Sequence, residues 1–266
     1  MKTKLSAKLS VMALALLGAS YAEAATHNVA VFGDRYDIST ISSFYDGLAD
    51  TDANIISSLD SANLTGKQLL WAVQPASSYT ATELSALSGY LSNGGRIAFM
   101  GEHGTYAPTE NNNINLAINS LGGNIKIENT LEDAGFRDAN RTGAGSGGKI
   151  LSHPLTNGVN TYNYAAFAPL TLSGNAEALM VGDNENKVMM AYQNIGSGSI
   201  FLITDQNVWD NVNAPANDNK IMFQNLISAS VVTPPVPEPE TYAMLTTGLL
   251  GLYARCRRNR KVTKAA

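Results

Sequence analysis

Apolar and polar positions follow two different rhythms along the chain, and the switches between them mark the elements. Residues 68–73 (QLLWAV) are apolar at nearly every position, the pattern of a strand covered on both faces, as in a parallel sheet. Pro75 ends it. From Thr80 the spacing becomes helical: Leu84, Leu87 and Leu91 form one stripe, Thr80 and Glu83 supply a capping box, and Asn93-Gly94-Gly95 supplies the stop. Residues 96–100 (RIAFM) then read as a strand. Strand, capped helix, glycine turn and strand make a βαβ unit, whose crossover winds right-handed.

Upstream, residues 27–32 (HNVAVF) are a β-branched run ending at Gly33-Asp34, followed by a helical stretch at 41–49 and a second strand at 54–58. The second half is richer in strands, at 177–181, 188–193 and 199–204, with turns at Gly182-Asp183-Asn184 and Gly196-Ser197-Gly198. A last helix at 219–229 offers Ile221, Phe223, Leu226 and Ile227 to cover the sheet. The pattern predicts an α/β domain over 25–230, built on a single doubly wound, mostly parallel sheet. It shows no internal repeat.

The two ends follow other rules. Lys2, Lys4 and Lys8 precede an apolar run at 9–18, and Ala22-Glu23-Ala24 has the form of a signal-peptidase site, so 1–24 reads as a signal peptide. That run is far shorter than the roughly 20 residues needed to cross a bilayer. At the other end stands a proline-rich linker, 231–240, whose TPPVPEPE can neither continue a helix nor enter a sheet interior. An uncharged stretch at 242–254 follows, then Arg255, Cys256, Arg257, Arg258, Asn259, Arg260 and Lys261. The basic cluster is expected to stay on the cytoplasmic side, holding the hydrophobic segment in the inner membrane transiently.

These residues carry a resemblance. Val236-Pro237-Glu238-Pro239-Glu240-Thr241, the apolar stretch and the arginines resemble, in that order, the PEP-CTERM sorting signal of Gram-negative bacteria. The resemblance implies recognition of Pro237, Glu238 and Pro239 by an exosortase-type enzyme and removal of the tail at 241–266, with its Arg255, Arg257 and Arg258. Delivery to the cell envelope or extracellular matrix would follow. Thr246 and Thr247 make the segment less apolar than the pattern.

Composition changes the picture in two ways. The one cysteine, Cys256, lies in the tail, so the domain has no disulfide, no thiol nucleophile and no cysteine-based metal site. Between residues 25 and 230 there are nine Lys and Arg against nineteen Asp and Glu, a more acidic balance than the whole chain's −4, because both signals are basic. Such a surface repels phosphate backbones, and no nucleic-acid partner is expected.

Several polar residues fall just past the carboxyl ends of the expected strands, where open α/β sheets bind ligands. They are Asp34, Glu102, His103, Asp205 and Asn207. Gly101-Glu102-His103-Gly104 places a carboxylate and an imidazole on one loop, as general acid/base or metal chemistry requires. The plainer reading, and the favoured one, is that they bond to loop backbone or cap a helix. Asp218 reads as an N-cap and His153, before Pro154, as a turn residue. Gly143–Lys149 reproduces a GxxxxGK spacing, but Ile150 stands where a hydroxyl is needed and 138–142 carries no strand pattern, so it reads as a surface loop. No cofactor or metal is expected.

Residues 69–104, SHPLTNGV, GSGSIFLITDQNVWDN and DNKIMFQNLIS together resemble the class I glutamine amidotransferase-like domains, a flavodoxin-like group with many non-catalytic members. Those enzymes place a cysteine on the turn after the strand at 96–100, where this chain has Gly101, Glu102 and His103. The likeness implies a fold and a groove, without the thiol chemistry. Two functions are expected in order: a non-catalytic matrix protein binding polysaccharide, and an extracellular hydrolase using Glu102 and His103 with Asp34 or Asp205.

Overall fold

The computed structural model describes residues 27–229, except 36–37, 146, 185 and 211–216. The expected signal peptide, linker and sorting segment, with Pro237, Glu238, Pro239, Arg255, Arg257 and Arg258, lie outside the described residues.

The chain runs β1 (His27–Gly33), α1 (Ser39–Asp46), β2 (Thr51–Ile55), α2 (Ser61–Leu64), β3 (Leu69–Val73), α3 (Ala81–Ser92), β4 (Arg96–Met100) and α4 (Pro108–Ser120). It continues through β5 (Ile125–Ile127), β6 (Arg137–Asn140), β7 (Lys149–Ile150), β8 (Thr161–Tyr164), β9 (Leu170–Leu172), β10 (Glu177–Val181), β11 (Val188–Ile195), β12 (Gly198–Ile203) and α5 (Asn219–Ser228).

Five strands pair in parallel in the order β2-β1-β3-β4-β12. The chain steps outward from β1 to β2, then back past β1 to β3, which gives the flavodoxin-like order with its switch point between β1 and β3. The α/β sheet expected from the sequence is therefore present. Beyond β12 it continues as a wing in which β11, β10 and β7 pair antiparallel, with β6 and β8 outside them and β9 and β5 branching from β11.

Central strands β3 and β4 are buried at every position, as their unbroken apolar runs require. Leu70, Ala72, Ile97 and Phe99 face Leu64 of α2, Leu87 and Leu91 of α3, and Ile114 and Ile118 of α4 in one aliphatic core. The opposite face is aromatic. There Trp71 packs edge-on against Trp209 and Phe223, while Trp209 stacks on Phe223 with centroids 4.1 Å apart. Trp71 Nε1 donates to Tyr45 Oη (3.1 Å), and Tyr45 Oη donates to the Phe223 carbonyl (2.9 Å), so these two polar tips are satisfied, whereas Trp209 Nε1 is buried in the same layer without a partner among the described residues. Helices cover both faces of the sheet.

The capping box at Thr80 and Glu83 forms as expected. Other expectations shift. The helix expected at 41–49 is Ser39–Asp46, ended by Gly47, and the strand expected at 54–58 is Thr51–Ile55, a polar edge strand with little hydrophobic signal. The stretch before the GxxxxGK spacing does hold a strand, β6, contrary to the sequence reading. Only Ala139 of β6 is buried, so no apolar run announced it. The spacing still makes no phosphate loop, because Lys149 enters a second strand, β7, where a phosphate loop would open an α-helix. Helix α4 went unread, since PTENNNINLAINS is rich in asparagine, a poor helix former. Among the described residues no helix is long and apolar enough to cross a membrane.

Candidate functional site

All five parallel strands point their carboxyl ends to one edge, and four of the loops there are tied together by side chains. After β1, the Asp34 carboxylate accepts from the Ala76 N–H (3.0 Å), joining the loops after β1 and β3. After β3, Gln74 adopts φ +40°, its N–H reaches the Met100 carbonyl (2.9 Å), and its amide donates to Gln206 Oε1 (2.6 Å). That link joins the loops after β3 and β12.

Glu102 sits at the centre of this edge and is 2% exposed. Oε1 accepts from the His103 N–H and Oε2 from the Gln206 N–H, each at 2.8 Å, so the carboxylate bridges the loops after β4 and β12. Asn111 of α4 holds the Glu102 backbone from below: its Oδ1 accepts the Glu102 N–H (3.1 Å) and its Nδ2 donates to the Glu102 carbonyl (2.6 Å). The flanking glycines are required by contact. A Cβ at Gly101 would lie 2.5 Å from Asn111 Oδ1, and one at Gly104 would lie 2.1 Å from the Asn129 backbone.

Asp205, also 2% exposed, makes a second bridge. Oδ2 accepts from the Ala165 N–H (2.8 Å) and Oδ1 from the Asn207 N–H (2.9 Å). Burial pushes both carboxyls well above the ordinary carboxylate range. The Asp205 charge adds to the effect on Glu102, while the backbone N–H groups oppose it at each residue. His103 lies alongside, with Nε2 3.6 Å from Glu102 Oε1 and Nδ1 2.8 Å from Thr105 Oγ1. Burial lowers its pKa, which favours the neutral ring.

The fold thus brings Glu102, His103 and Asp205 together, with Asn207 joined through its backbone, and gives Asp34 a separate tie. Their hydrogen bonds run mainly to loop backbone, the plainer of the two sequence readings. Asp218 stands at the N-cap position of α5, yet its carboxylate accepts from Asn160 and Thr161 N–H instead of from the helix. His153 caps the short 3-10 turn at Pro154–Thr156 through Nδ1.

Sequence reasoning missed Arg35, Tyr106, Glu110 and Asn111. Arg35 Nη1 donates to Glu110 Oε1 (2.7 Å), and its guanidinium lies 5.4 Å from the Tyr106 ring centroid. The Tyr106 ring lies 6.0 Å from that of His103. Glu110 belongs to the unread helix α4, so nothing in the linear pattern joined it to Arg35. Among the described residues no three His, Cys, Asp or Glu side chains are grouped to hold a metal ion. A groove of about 500 Å³ lies at the opposite edge, between α2 and α3, and contains none of the candidate residues.

Comparison with solved structures supports the fold. The mmIFT52 N-terminal domain aligns with TM-score 0.61 and 19% identity over 77% of this chain and 100% of that domain. A cytoplasmic protein of Salmonella typhimurium LT2 aligns with TM-score 0.56 and 9% identity, over 76% and 98%. At these identities the likeness concerns fold alone. No curated protein matches the chain. Residues 235–258 match the PEP-CTERM protein-sorting motif, which implies export, processing by an exosortase and sorting to the cell envelope.

Proposed function

We propose that the exported chain acts in the envelope or extracellular matrix as a non-catalytic binding domain for polysaccharide, with the carboxyl edge of the parallel sheet as its contact surface. In this reading the signal peptide is 1–24, the domain 25–230, the linker 231–240 and the removable tail 241–266, which holds the inner membrane until processing. A glutamine amidotransferase-like ancestry fits the strand order, with Gly101, Glu102 and His103 on the turn where those enzymes carry a cysteine.

One observation carries the non-catalytic reading: all four oxygens of Glu102 and Asp205 already accept backbone N–H groups, in side chains only 2% exposed. A general acid or base must reach the proton it moves. The hydrolase reading rests on the 3.6 Å approach of His103 to Glu102 together with the raised carboxyl.

Incubation of the purified chain with exopolysaccharide from its own matrix separates them. Retention of the protein without released reducing ends is expected. Release of sugars that is abolished by His103→Ala would replace binding with hydrolysis, and absence of retention would remove the binding reading. Fractionation of cells with and without exosortase tests sorting. An intact tail in exosortase-positive cells would overturn the processing step.

A further inference from the structure

Arg35, Tyr106 and Glu110 form a part of the carboxyl edge that the loop ties do not use. Arg35 follows β1, Tyr106 lies in the loop after β4, and Glu110 is in the first turn of α4, so the three converge across the end of β3, beside the switch point. Glu110 is 4% exposed, yet only one of its oxygens is engaged: Oε1 accepts from Arg35, while Oε2 is buried and has no hydrogen-bond partner among the described residues. Buried polar atoms are nearly always bonded, so an orphan oxygen beneath the partly exposed Arg35 marks a place for a donor from outside. Tyr106 is its counterpart, a ring 49% exposed with Arg35 against it.

We propose that Arg35, Tyr106 and Glu110 form a subsite for one ring of an uncharged glycan, the sugar face lying on Tyr106 and vicinal hydroxyls bonding to Arg35 and Glu110. The assignment rests on the polysaccharide-binding reading and narrows it to a chemical class. A sugar hydroxyl both donates and accepts, so once the half-exposed Arg35 side chain swings aside from Glu110, one hydroxyl donates to the uncovered Oε2 while its neighbour accepts from the guanidinium, whose planar fork suits two adjacent oxygens. The apolar C–H face of a pyranose matches a half-exposed aromatic ring. A uronate would bring a carboxylate next to Glu110 on a domain with ten more acidic than basic residues between 25 and 230, and that repulsion selects against it.

The test is affinity electrophoresis of the full chain through gels containing galactomannan, which is neutral, or alginate, which is a polyuronate. Retardation by galactomannan and not by alginate is expected, with a loss of about tenfold in affinity for Tyr106→Ala and a smaller loss for Arg35→Lys. Tyr106 is exposed enough that the melting temperature of Tyr106→Ala should match the parent, whereas Arg35→Lys loosens the tie to buried Glu110 and its affinity is read at a temperature well below its own melting point. Retardation by galactomannan that neither substitution changes would overturn the subsite and leave polysaccharide binding standing, as would retardation by alginate alone. No retardation in either gel, with no retention by native matrix, would remove both.

Discussion

The two edges of the parallel centre bury charge in opposite ways. At the amino edge Arg96 is 7% exposed, with Nε donating to Ser199 Oγ (3.1 Å), Nη1 to the Leu226 carbonyl and Nη2 to the Ala229 carbonyl (3.2 Å). It meets the last turn of α5, where carbonyls lack helical partners and the helix dipole is negative. One cation faces acceptors. At the carboxyl edge burial pushes two carboxyls toward their protonated forms, the Asp205 charge adding to the effect at Glu102 and the backbone N–H groups opposing it at both. The amino edge is a lock indifferent to ordinary pH, while the carboxyl edge carries an electrostatic cost that rises with pH. Such costs concentrate at functional sites.

The largest test of this contrast is Arg96→Met. It strands two carbonyls and a serine hydroxyl while keeping most of the side-chain volume, and should cost about 3 kcal/mol in urea unfolding. The loss should differ little between pH 5 and pH 8, because none of those three atoms titrates there and His153, which feels the Arg96 charge, is the one nearby group that does; a loss confined to one pH would dissolve the contrast. Gly104→Ala attacks the other edge through backbone. A Cβ 2.1 Å from Asn129 forces the His103 loop to move, at about 2 kcal/mol, and polysaccharide retention should fall with stability.

The third test is pH itself. Both carboxyls have folded pKa values above their unfolded ones, so their stabilising contribution is complete below about pH 4 and is lost as pH rises toward about 8. His103 works the other way, since its lowered pKa favours the fold as pH rises through its titration, and Tyr162, which feels the Asp205 charge, stays protonated throughout. Comparison with Glu102→Gln isolates the pair. The variant presents an amide N–H to a backbone N–H and is less stable at pH 5, and the gap should narrow by about 1–2 kcal/mol at pH 8. A constant gap would mean that the pair stays charged.

How much of this was legible follows from where the signal lies. Strands β3 and β4 and the capped helix α3 declare themselves through unbroken apolar runs and a capping box, and strand ends locate Glu102, His103 and Asp205 without a structure. Helix α4 is silent because its buried positions include Asn111 and Asn113, whose burial is compensated by bonds to the Glu102 backbone and the Pro75 carbonyl. Long-range pairs such as Arg35 with Glu110, 75 residues apart, leave no local pattern. The sequence therefore located the edge and two of its bridges, while the residues best placed for contact depended on an unread helix.

The smallest expected effect separates a tie from a contact. Asp34 was a candidate binding residue, and in the fold its carboxylate accepts one exposed backbone N–H, from Ala76. Asp34→Ala should cost about 0.5 kcal/mol, the low end for an exposed hydrogen bond, and Asp34→Asn still less, since an amide oxygen can take the same N–H. Neither should weaken polysaccharide retention, because the subsite requires Arg35, Tyr106 and Glu110 and gives Asp34 no part. If Asp34→Asn abolished retention while the unfolding midpoint stayed within error of the parent, the charge itself would be in contact with ligand. The subsite would then extend along the β1 loop, and a ligand bearing cationic groups would fit that edge better than a neutral one.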